Sequence, residues 1–464
     1  MRLVRAVLAA TTFAFITACA VGPNYKRPVF DAAAAYKEQD GWKPSEPGDA
    51  LDRGPWWEIF NDEALNRLEA QIDISNQTVR SAAAAVEESQ ALVRQARAGF
   101  WPSVSVSANR QRTVQGTSRP NTITSAAISG NWTVDLWGEI RRNTESTLAS
   151  AQVSEAALAS ARLAAQAQLA IDYFELRAQD QLQIILNDIV AAEQQSLRIT
   201  ENRYRVGVAA KADVVTARTQ LLSSQAQQVN APLQRAILEH AIAVLVGQQP
   251  ANLSIAAAPM RNDVPTVPPG IPSTLLERRP DVAQAERRVA AANAQIGVAV
   301  AAFFPSLTIT GSADYQSNTI SRLIRTANRV WAIGPSVALS VFDAGLRRAQ
   351  LAQARAFYEQ SVDNYRQTVL TSLEQVEDQI ATLRVLEQSA VIEEAAVTAS
   401  REAETLTLNQ YKAGTVPYSS VITSQTARLN SEQAALNVLS GRLQAAVGII
   451  EALGGGWRAS SSRY

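Results

Sequence analysis

The fold is decided by residues 139–206, which read EIRRNTESTLASAQVSEAALASARLAAQAQLAIDYFELRAQDQLQIILNDIVAAEQQSLRITENRYRV. This stretch of 68 residues contains neither Gly nor Pro, so nothing in it interrupts the hydrogen-bond ladder of a helix. With a rise of about 1.5 Å per residue, one continuous helix would be about 100 Å long, far longer than a compact domain is wide. We therefore expect this helix to lie along other helices in a rod or a tube.

The same pattern occurs a second time. Residues 346–413 are again 68 residues without Gly or Pro, at an offset of 207 from the first stretch. The ends of the two stretches match as well, because Tyr204-Arg205-Val206-Gly207 is echoed by Tyr411-Lys412-Ala413-Gly414. The sequence therefore predicts an internally duplicated, mainly α protein.

Before each long helix the hydrophobic period changes to two. Val104 and Val106 alternate with serines in the first half, and Leu307 and Ile309 alternate with Ser and Thr in the second. Such alternation is typical of strands with one apolar face and one polar face. Each half is therefore expected to contain a β-hairpin, which gives four strands in the chain.

These patterns divide the chain into two repeats of helix, hairpin, long helix, turn and returning helix. The predicted segments are a signal peptide (1–18), an N-terminal arm (19–61), a first repeat (62–246, with hairpin 101–136, long helix 139–206 and returning helix 208–246), a linker (247–278), a second repeat (279–453, with hairpin 304–342, long helix 346–413 and returning helix 417–453) and a C-terminal tail (454–464).

The N-terminus has the features of a bacterial lipoprotein signal. Basic residues precede a short apolar run, and Ile16-Thr17-Ala18-Cys19 resembles a lipobox, in which the chain is cut before the cysteine and a diacylglycerol is attached to its sulfur. An ordinary secretory signal with a chance cysteine is the alternative, and we favour lipidation at Cys19. Because this is the only cysteine, an intrachain disulfide is excluded.

The composition argues against several classes of function. The 43 basic and 43 acidic residues balance, so no broad nucleic-acid surface is expected. The single histidine, His240, has no cysteine partner for a metal site, and no catalytic triad motif or phosphate-binding loop is evident. We therefore expect neither an enzyme nor a metal site, and no cofactor besides the lipid on Cys19.

Four strands are too few to close a membrane barrel, which needs about eight. An open sheet would leave unpaired backbone groups in the bilayer, so the strands are expected to pair with copies of the same chain in a closed ring. Aromatic residues at the helix–strand junctions fit a girdle at the membrane interface, with packing plugs as the alternative. They are Phe100, Trp101, Trp137, Phe303, Phe304 and Phe342.

Together these features resemble the outer-membrane factor family of TolC-like export ducts, in the lipoprotein branch of OprM and NodT type. Further support comes from Gly54-Pro55-Trp56-Trp57 and from Arg278-Arg279-Pro280-Asp281-Val282. The resemblance implies a homotrimer in the outer membrane, with a twelve-stranded transmembrane β-barrel joined to a coiled-coil-like α-helical barrel that extends into the periplasm. It also implies an inner-membrane pump and a periplasmic adaptor as partners, outer-membrane lipid around the barrel, and passive conduction of small molecules such as drugs.

In such ducts the two helical turns form the periplasmic tip. The resemblance therefore places Tyr204, Arg205, Gly207, Tyr411 and Gly414 near the gate and the adaptor contact, although plain helix capping is the alternative and is favoured for the two glycines. The resemblance also places Asp213 where a carboxylate would ring the constriction and select for cations. The alternative is an acidic residue that the helix dipole favours early in a helix. The aligned residue of the second repeat is Ser420, so half of this electronegative ring is absent.

A structural lipoprotein is the rival hypothesis. A periplasmic coiled-coil spacer without a pore would explain Cys19 and the long helices. It would not explain four alternating strands with aromatic borders.

Overall fold

The computed structural model describes residues 20–29, 37, 55–114, 116, 119–265, 267 and 279–455. The predicted signal peptide, the lipidation site Cys19 and most of the predicted C-terminal tail lie outside the described residues. The chain forms two compact units. One unit holds the strands and the helix segments next to them (residues 84–155 and 284–367, with the described part of 1–30), and the other is helical (the remaining residues).

The order of elements repeats along the chain. The helices are α1 (Glu63–Ser75), α2 (Gln77–Ala98), α3 (Glu139–Arg205), α4 (Lys211–Leu245), α5 (Pro280–Ala301), α6 (Leu346–Ala413) and α7 (Tyr418–Ala452). The strands are β1 (Ser103–Thr113), β2 (Asn121–Val134), β3 (Ser306–Ser317) and β4 (Arg329–Ala338), and short 3₁₀ turns lie at Trp56–Phe60, Pro250–Asn252, Ile320–Arg322 and Thr326–Asn328.

The two long helices are uninterrupted. Helix α3 has 67 residues and ends one residue before the predicted boundary, and α6 has 68 residues. The returning helix α4 starts at Lys211, not at residue 208, because the backbone first turns through Gly207 and reaches an extended N-cap at Ala210. Helix α7 begins at Tyr418, after Pro417 in the N-cap position.

The first repeat opens with two helices. Asn76 separates α1 from α2, and its side-chain oxygen accepts a hydrogen bond from the Val79 amide at 2.9 Å, as an N-cap does. The Asn76 side-chain amide also donates to the carbonyl oxygen of Leu245 at 2.7 Å. The break therefore docks the start of the repeat onto the end of α4.

The strands form one antiparallel sheet in the order β1-β2-β3-β4. The pairing of β2 with β3, with Gly130 opposite Gly311, joins the hairpins of the two repeats. Strands β1 and β4 are the edges, and each has one side without a partner strand among the described residues. A single sheet with two free edges is thus built from both halves of the chain.

The helical unit has a continuous apolar core in which Leu169, Tyr173 and Ile380 are fully buried. Arg279 is also buried, and it donates to the carbonyl oxygen of Ala452 at 3.0 Å and to the Gln375 side chain at 2.8 Å. The arginine of the Arg-Pro-Asp motif therefore fastens the start of α5 to the end of α7. Among the described residues, none of the helices combines the length and the hydropathy that crossing a bilayer requires.

Candidate functional site

Both long helices end in the same hydrogen-bonded turn. The backbone amide of Gly207 donates a hydrogen bond to the carbonyl oxygen of Tyr204 at 2.9 Å. The amide of Val208 donates to the carbonyl oxygen of Arg203 at 2.9 Å, and the two bonds together are the pattern of a Schellman motif. Gly207 has a φ of +77°, a left-handed conformation that favours glycine. The second turn is equivalent: Gly414 has a φ of +81° and donates to Tyr411 at 2.9 Å. The two glycines therefore cap their helices.

Arg203 joins the two turns to each other. Its guanidinium donates to the carbonyl oxygen of Lys412 at 2.6 Å and lies 4.9 Å from the centre of the Tyr411 ring. The end of one long helix is thus held to the end of the other by a charge-assisted hydrogen bond and a cation–π contact. This role of Arg203 is not evident from the sequence, because its partners lie more than 200 residues away along the chain.

Tyr411 and Tyr418 form the core under the turns. Tyr411 is only 3% exposed, and its ring contacts that of Tyr418 edge-on with the centroids 5.2 Å apart. Ala217 and Val421 complete this small apolar cluster, which contains residues from both returning helices. Tyr411 therefore packs inside the tip of the helical unit.

The other predicted tip residues lie at the surface. Tyr204 is 46% exposed and Arg205 is exposed. Asp213 is half-buried in the first turn of α4, and its counterpart Ser420 is half-buried near the start of α7. Their roles in gating, docking or selectivity stay predictions.

The sheet has one apolar face that is largely exposed. Side chains that share this face include Val106, which is 80% exposed, together with Ile128, Ile333 and Val337. Exposed apolar patches of this kind mark contact with a membrane or a partner. The strands are 10 to 14 residues long, enough to span the hydrocarbon core of a bilayer, which takes about 9–11 residues.

The opposite face is polar and concave. It presents Ser105 and Ser129, whose hydroxyls lie 2.9 Å apart, and the neighbouring Thr310 and Ser312. A cavity of about 450 Å³ lies against this face and is lined by residues of all four strands. The sheet therefore curves around its polar side.

The predicted aromatic residues fall into two groups. Trp137 and Phe304 stack with centroids 4.7 Å apart, and the Trp137 indole donates to the carbonyl oxygen of Pro305 at 2.8 Å. Trp101 and Phe342 are strongly exposed, while Phe303 and Phe304 are only moderately so and Phe100 is half-buried. Two further tryptophans, Trp132 and Trp331, lie on the apolar face of the sheet. The sequence alternation already indicates this position for Trp132, whereas Trp331 was not among the predicted strand residues.

The N-terminal arm is fastened at the junction of β2 and α3. The buried guanidinium of Arg142 donates to the carbonyl oxygen of Val21 at 3.2 Å and to the Asn24 side chain at 2.8 Å. Ala20 lies so close to Gly138 that a Cβ on the glycine would approach the Ala20 Cα to 2.7 Å. The residue before Ala20 is the predicted lipidation site Cys19, which itself lies outside the described residues.

Neither a metal centre nor a catalytic constellation is evident in the described part of the chain. No three of its His, Cys, Asp or Glu side chains are grouped so that they could hold a metal ion. His240 is an exposed residue of α4.

Comparison with known proteins gives consistent matches along the chain. The family model described as outer membrane efflux protein matches residues 70–248 and 271–455. The toluene efflux pump outer membrane protein TtgC of Pseudomonas putida is 30% identical over 463 residues, which cover 97% of this chain and 95% of that protein. Outer membrane protein OprJ of Pseudomonas aeruginosa is 29% identical over 464 residues, covering 98% of this chain and 96% of that protein. The solved structure of the outer-membrane channel OprN is similar with a TM-score of 0.87 at 30% identity, covering 95% of this chain and all of that chain.

Proposed function

Because the chain belongs to the family of outer membrane efflux proteins, we propose that it forms the homotrimeric exit duct of a tripartite efflux system. In this proposal it receives small molecules such as drugs from an inner-membrane pump and a periplasmic adaptor, and conducts them passively to the exterior. The observation that carries the proposal is the sheet with one exposed apolar face and one concave polar face. Such a sheet fits a wall between lipid and water.

The free edges of the sheet support a ring of identical chains. Strand β1 of one chain would pair with β4 of the next, so that three chains close a twelve-stranded barrel without unpaired edges. The polar, concave face would line the lumen and the apolar face would contact lipid, as in transmembrane barrels.

The helical unit supports the periplasmic part of the duct. Four long helices per chain, α3, α4, α6 and α7, would give a twelve-helix tunnel in a trimer. The turns held together by Arg203 would form its tip, where the adaptor docks and where Asp213 would line the constriction. Tyr204 and Arg205 are exposed in these turns and are available to a partner.

Lipidation of Cys19 would anchor the arm to the membrane. The arm is fixed by Arg142 and reaches Gly138, next to the stacked Trp137 and Phe304. Tryptophan is enriched at membrane interfaces, so a lipid on the residue before Ala20 would lie at the depth where acyl chains begin. No further cofactor and no nucleic acid is required by this proposal.

A structural coiled-coil lipoprotein without a pore remains the rival hypothesis. It gives no reason for an exposed apolar sheet face, and two relatives that match over nearly the whole chain carry efflux in their names.

Two neighbouring substitutions on β1 separate the two hypotheses. Val106 and Ser107 point to opposite faces of the sheet, so Val106→Arg would place a charge against lipid and Ser107→Arg would place it in the lumen. A charge on the lipid face costs about 2–4 kcal/mol at the bilayer midplane. In a strain without its own copy of this protein, we expect ethidium accumulation to stay high with Val106→Arg and to return to the level of the unsubstituted protein with Ser107→Arg.

Equal rescue by both variants would contradict a membrane-spanning sheet. Unchanged ethidium accumulation on loss of the protein, accompanied by envelope defects, would favour the structural spacer.

A further inference from the structure

The basic residues of the sheet and of its two loops gather at one end. Residues 103–134 and 306–338 contain six arginines and no lysine, and their only acidic residue is Asp314. All six arginines are exposed. They are Arg110, Arg112, Arg119, Arg322, Arg325 and Arg329.

The strand register shows that this end of the sheet is opposite the end that connects to the α-helices. Arg112 lies opposite Thr122 at the end of β1, and Arg329 lies opposite Tyr315 at the start of β4. Thr124 near the start of β2 pairs with Ser317 at the end of β3, so the β1–β2 and β3–β4 loops lie at the same end of the sheet. The other ends of the strands connect to helices α2, α3, α5 and α6.

Three of the arginines continue the apolar face. Alternation along β1 puts Arg110 and Arg112 on the same face as Val106, and alternation along β4 puts Arg329 on the same face as Trp331. We call Arg110, Arg112 and Arg329 the arginine rim. Asp314 belongs to the opposite, polar face and is separated from the rim by the sheet.

The rim has the chemistry of a phosphate-binding surface. None of its guanidinium groups forms an ion pair with another described residue. Arginine binds phosphate oxygens in a bidentate manner, and its aliphatic stem can lie along an apolar surface while the charged group reaches the head-group layer. Tyr315, opposite Arg329, adds an amphipathic ring at the same level.

We propose that the arginine rim binds the phosphate groups of the glycolipid in the outer leaflet of the outer membrane. This rests on the proposed function, in which the apolar face contacts lipid and the loops point to the exterior. The acyl chains then pack against the apolar face, and the phosphates attached to the sugars lie beside the rim. A lipid is favoured over a protein partner because the rim is continuous with the apolar face and has no carboxylate on that side.

The probe is bisphosphorylated lipid A. Noncovalently bound lipid is first removed from the mature protein in detergent. The protein is then incubated with bisphosphorylated lipid A, with the same lipid after dephosphorylation, or with phosphatidylglycerol. The lipid molecules that each protein retains are counted by native mass spectrometry. The test variant is R110Q/R112Q/R329Q. The matched control is R94Q/R97Q/R355Q, which removes the same charge from exposed helix positions.

The unsubstituted protein and the control variant are expected to retain bisphosphorylated lipid A at least tenfold more than dephosphorylated lipid A. The test variant should lose at least ninety per cent of this preference. Equal retention by the test variant and the unsubstituted protein would overturn the proposal. Retention of phosphatidylglycerol equal to that of bisphosphorylated lipid A would overturn the assignment to the outer-leaflet glycolipid.

Insertion into vesicles separates this proposal from the one on which it rests. The unsubstituted protein and both variants should enter neutral phosphatidylcholine vesicles and resist extraction with urea, because the apolar face is intact in all three. Failure of the unsubstituted protein to insert would contradict the membrane-spanning sheet itself. Normal insertion combined with phosphate-independent lipid retention would contradict only the arginine rim.

Discussion

Glu69 is a carboxyl group in an apolar setting. It lies on α1 with only 1% of its surface exposed, and neither of its side-chain oxygens has a hydrogen-bond partner among the described residues. Burial, with a smaller contribution from the charge of Asp73, raises the pKa of Glu69 from its ordinary value of 4.5 to about 9. The folded protein therefore holds this group neutral at physiological pH.

The raised pKa of Glu69 makes the stability of the folded protein depend on pH. Between pH 4.5 and pH 9 the folded state binds a proton that the unfolded state has released, so stability falls as pH rises through this range. Glu69→Gln keeps the shape of the neutral group and removes the titration. We expect this variant to be more stable than the unsubstituted protein at pH 8 by roughly 5 kcal/mol, because pH 8 lies about 3.5 units above the ordinary pKa and each unit is worth about 1.4 kcal/mol.

The measurement is the thermal unfolding midpoint in detergent at pH 6 and at pH 8.5. The midpoint of the unsubstituted protein should fall between these values more steeply than that of Glu69→Gln. The exposed Glu87, changed to Gln, is the control and should leave the slope as it is. Parallel slopes for all three proteins would show that Glu69 does not titrate in this range.

The two helix turns show how much of an element could be predicted from sequence. Their glycines and boundaries follow from local chemistry, since only a left-handed residue completes a Schellman motif. The contact of Arg203 with Lys412 and Tyr411 depends on how the helix pair α3–α4 packs against the helix pair α6–α7. The hydrophobic pattern of the sequence does not determine this packing. The same limit applies to Asn76, whose break in the first helix is stabilised by the end of α4.

Arg203→Ala should loosen the tip of the helical unit. It removes a charged hydrogen bond and a cation–π contact, together worth about 1–3 kcal/mol. Because these contacts hold the two turns together, we expect a higher mean conductance in planar bilayers. The control is Arg218→Ala, which breaks an exposed pair with Glu201 at 3.2 Å that is worth about 0–1 kcal/mol.

Equal conductance in the Arg203→Ala and Arg218→Ala variants would exclude a restraining role for Arg203. A higher mean conductance when Tyr204 and Arg205 are both replaced, with no change in Arg203→Ala, would indicate that the exposed residues of the turn restrain the tip and that Arg203 does not.

The whole molecule is a duplicated chain, and the duplication is evident in the sequence because each half has alternating strand residues followed by 68 residues without Gly or Pro. The lengths of the long helices could be predicted from the stretches without Gly or Pro, and the four strands and the two faces of the sheet from the alternation. The pairing of β2 with β3 could not, because alternation fixes which residues share a face and leaves open which strands are neighbours. The tight association of Ala20 with Gly138 also depends on tertiary packing alone.

The proposed duct closes only as a ring of three copies of this chain. The most direct test is electron microscopy of the detergent-extracted mature protein, with particle images averaged without imposed symmetry. We predict a hollow tube with three-fold symmetry and a length of more than about 100 Å, as the rise of the long helices requires. A solid rod, or a particle without a ring of subunits, would contradict the claim.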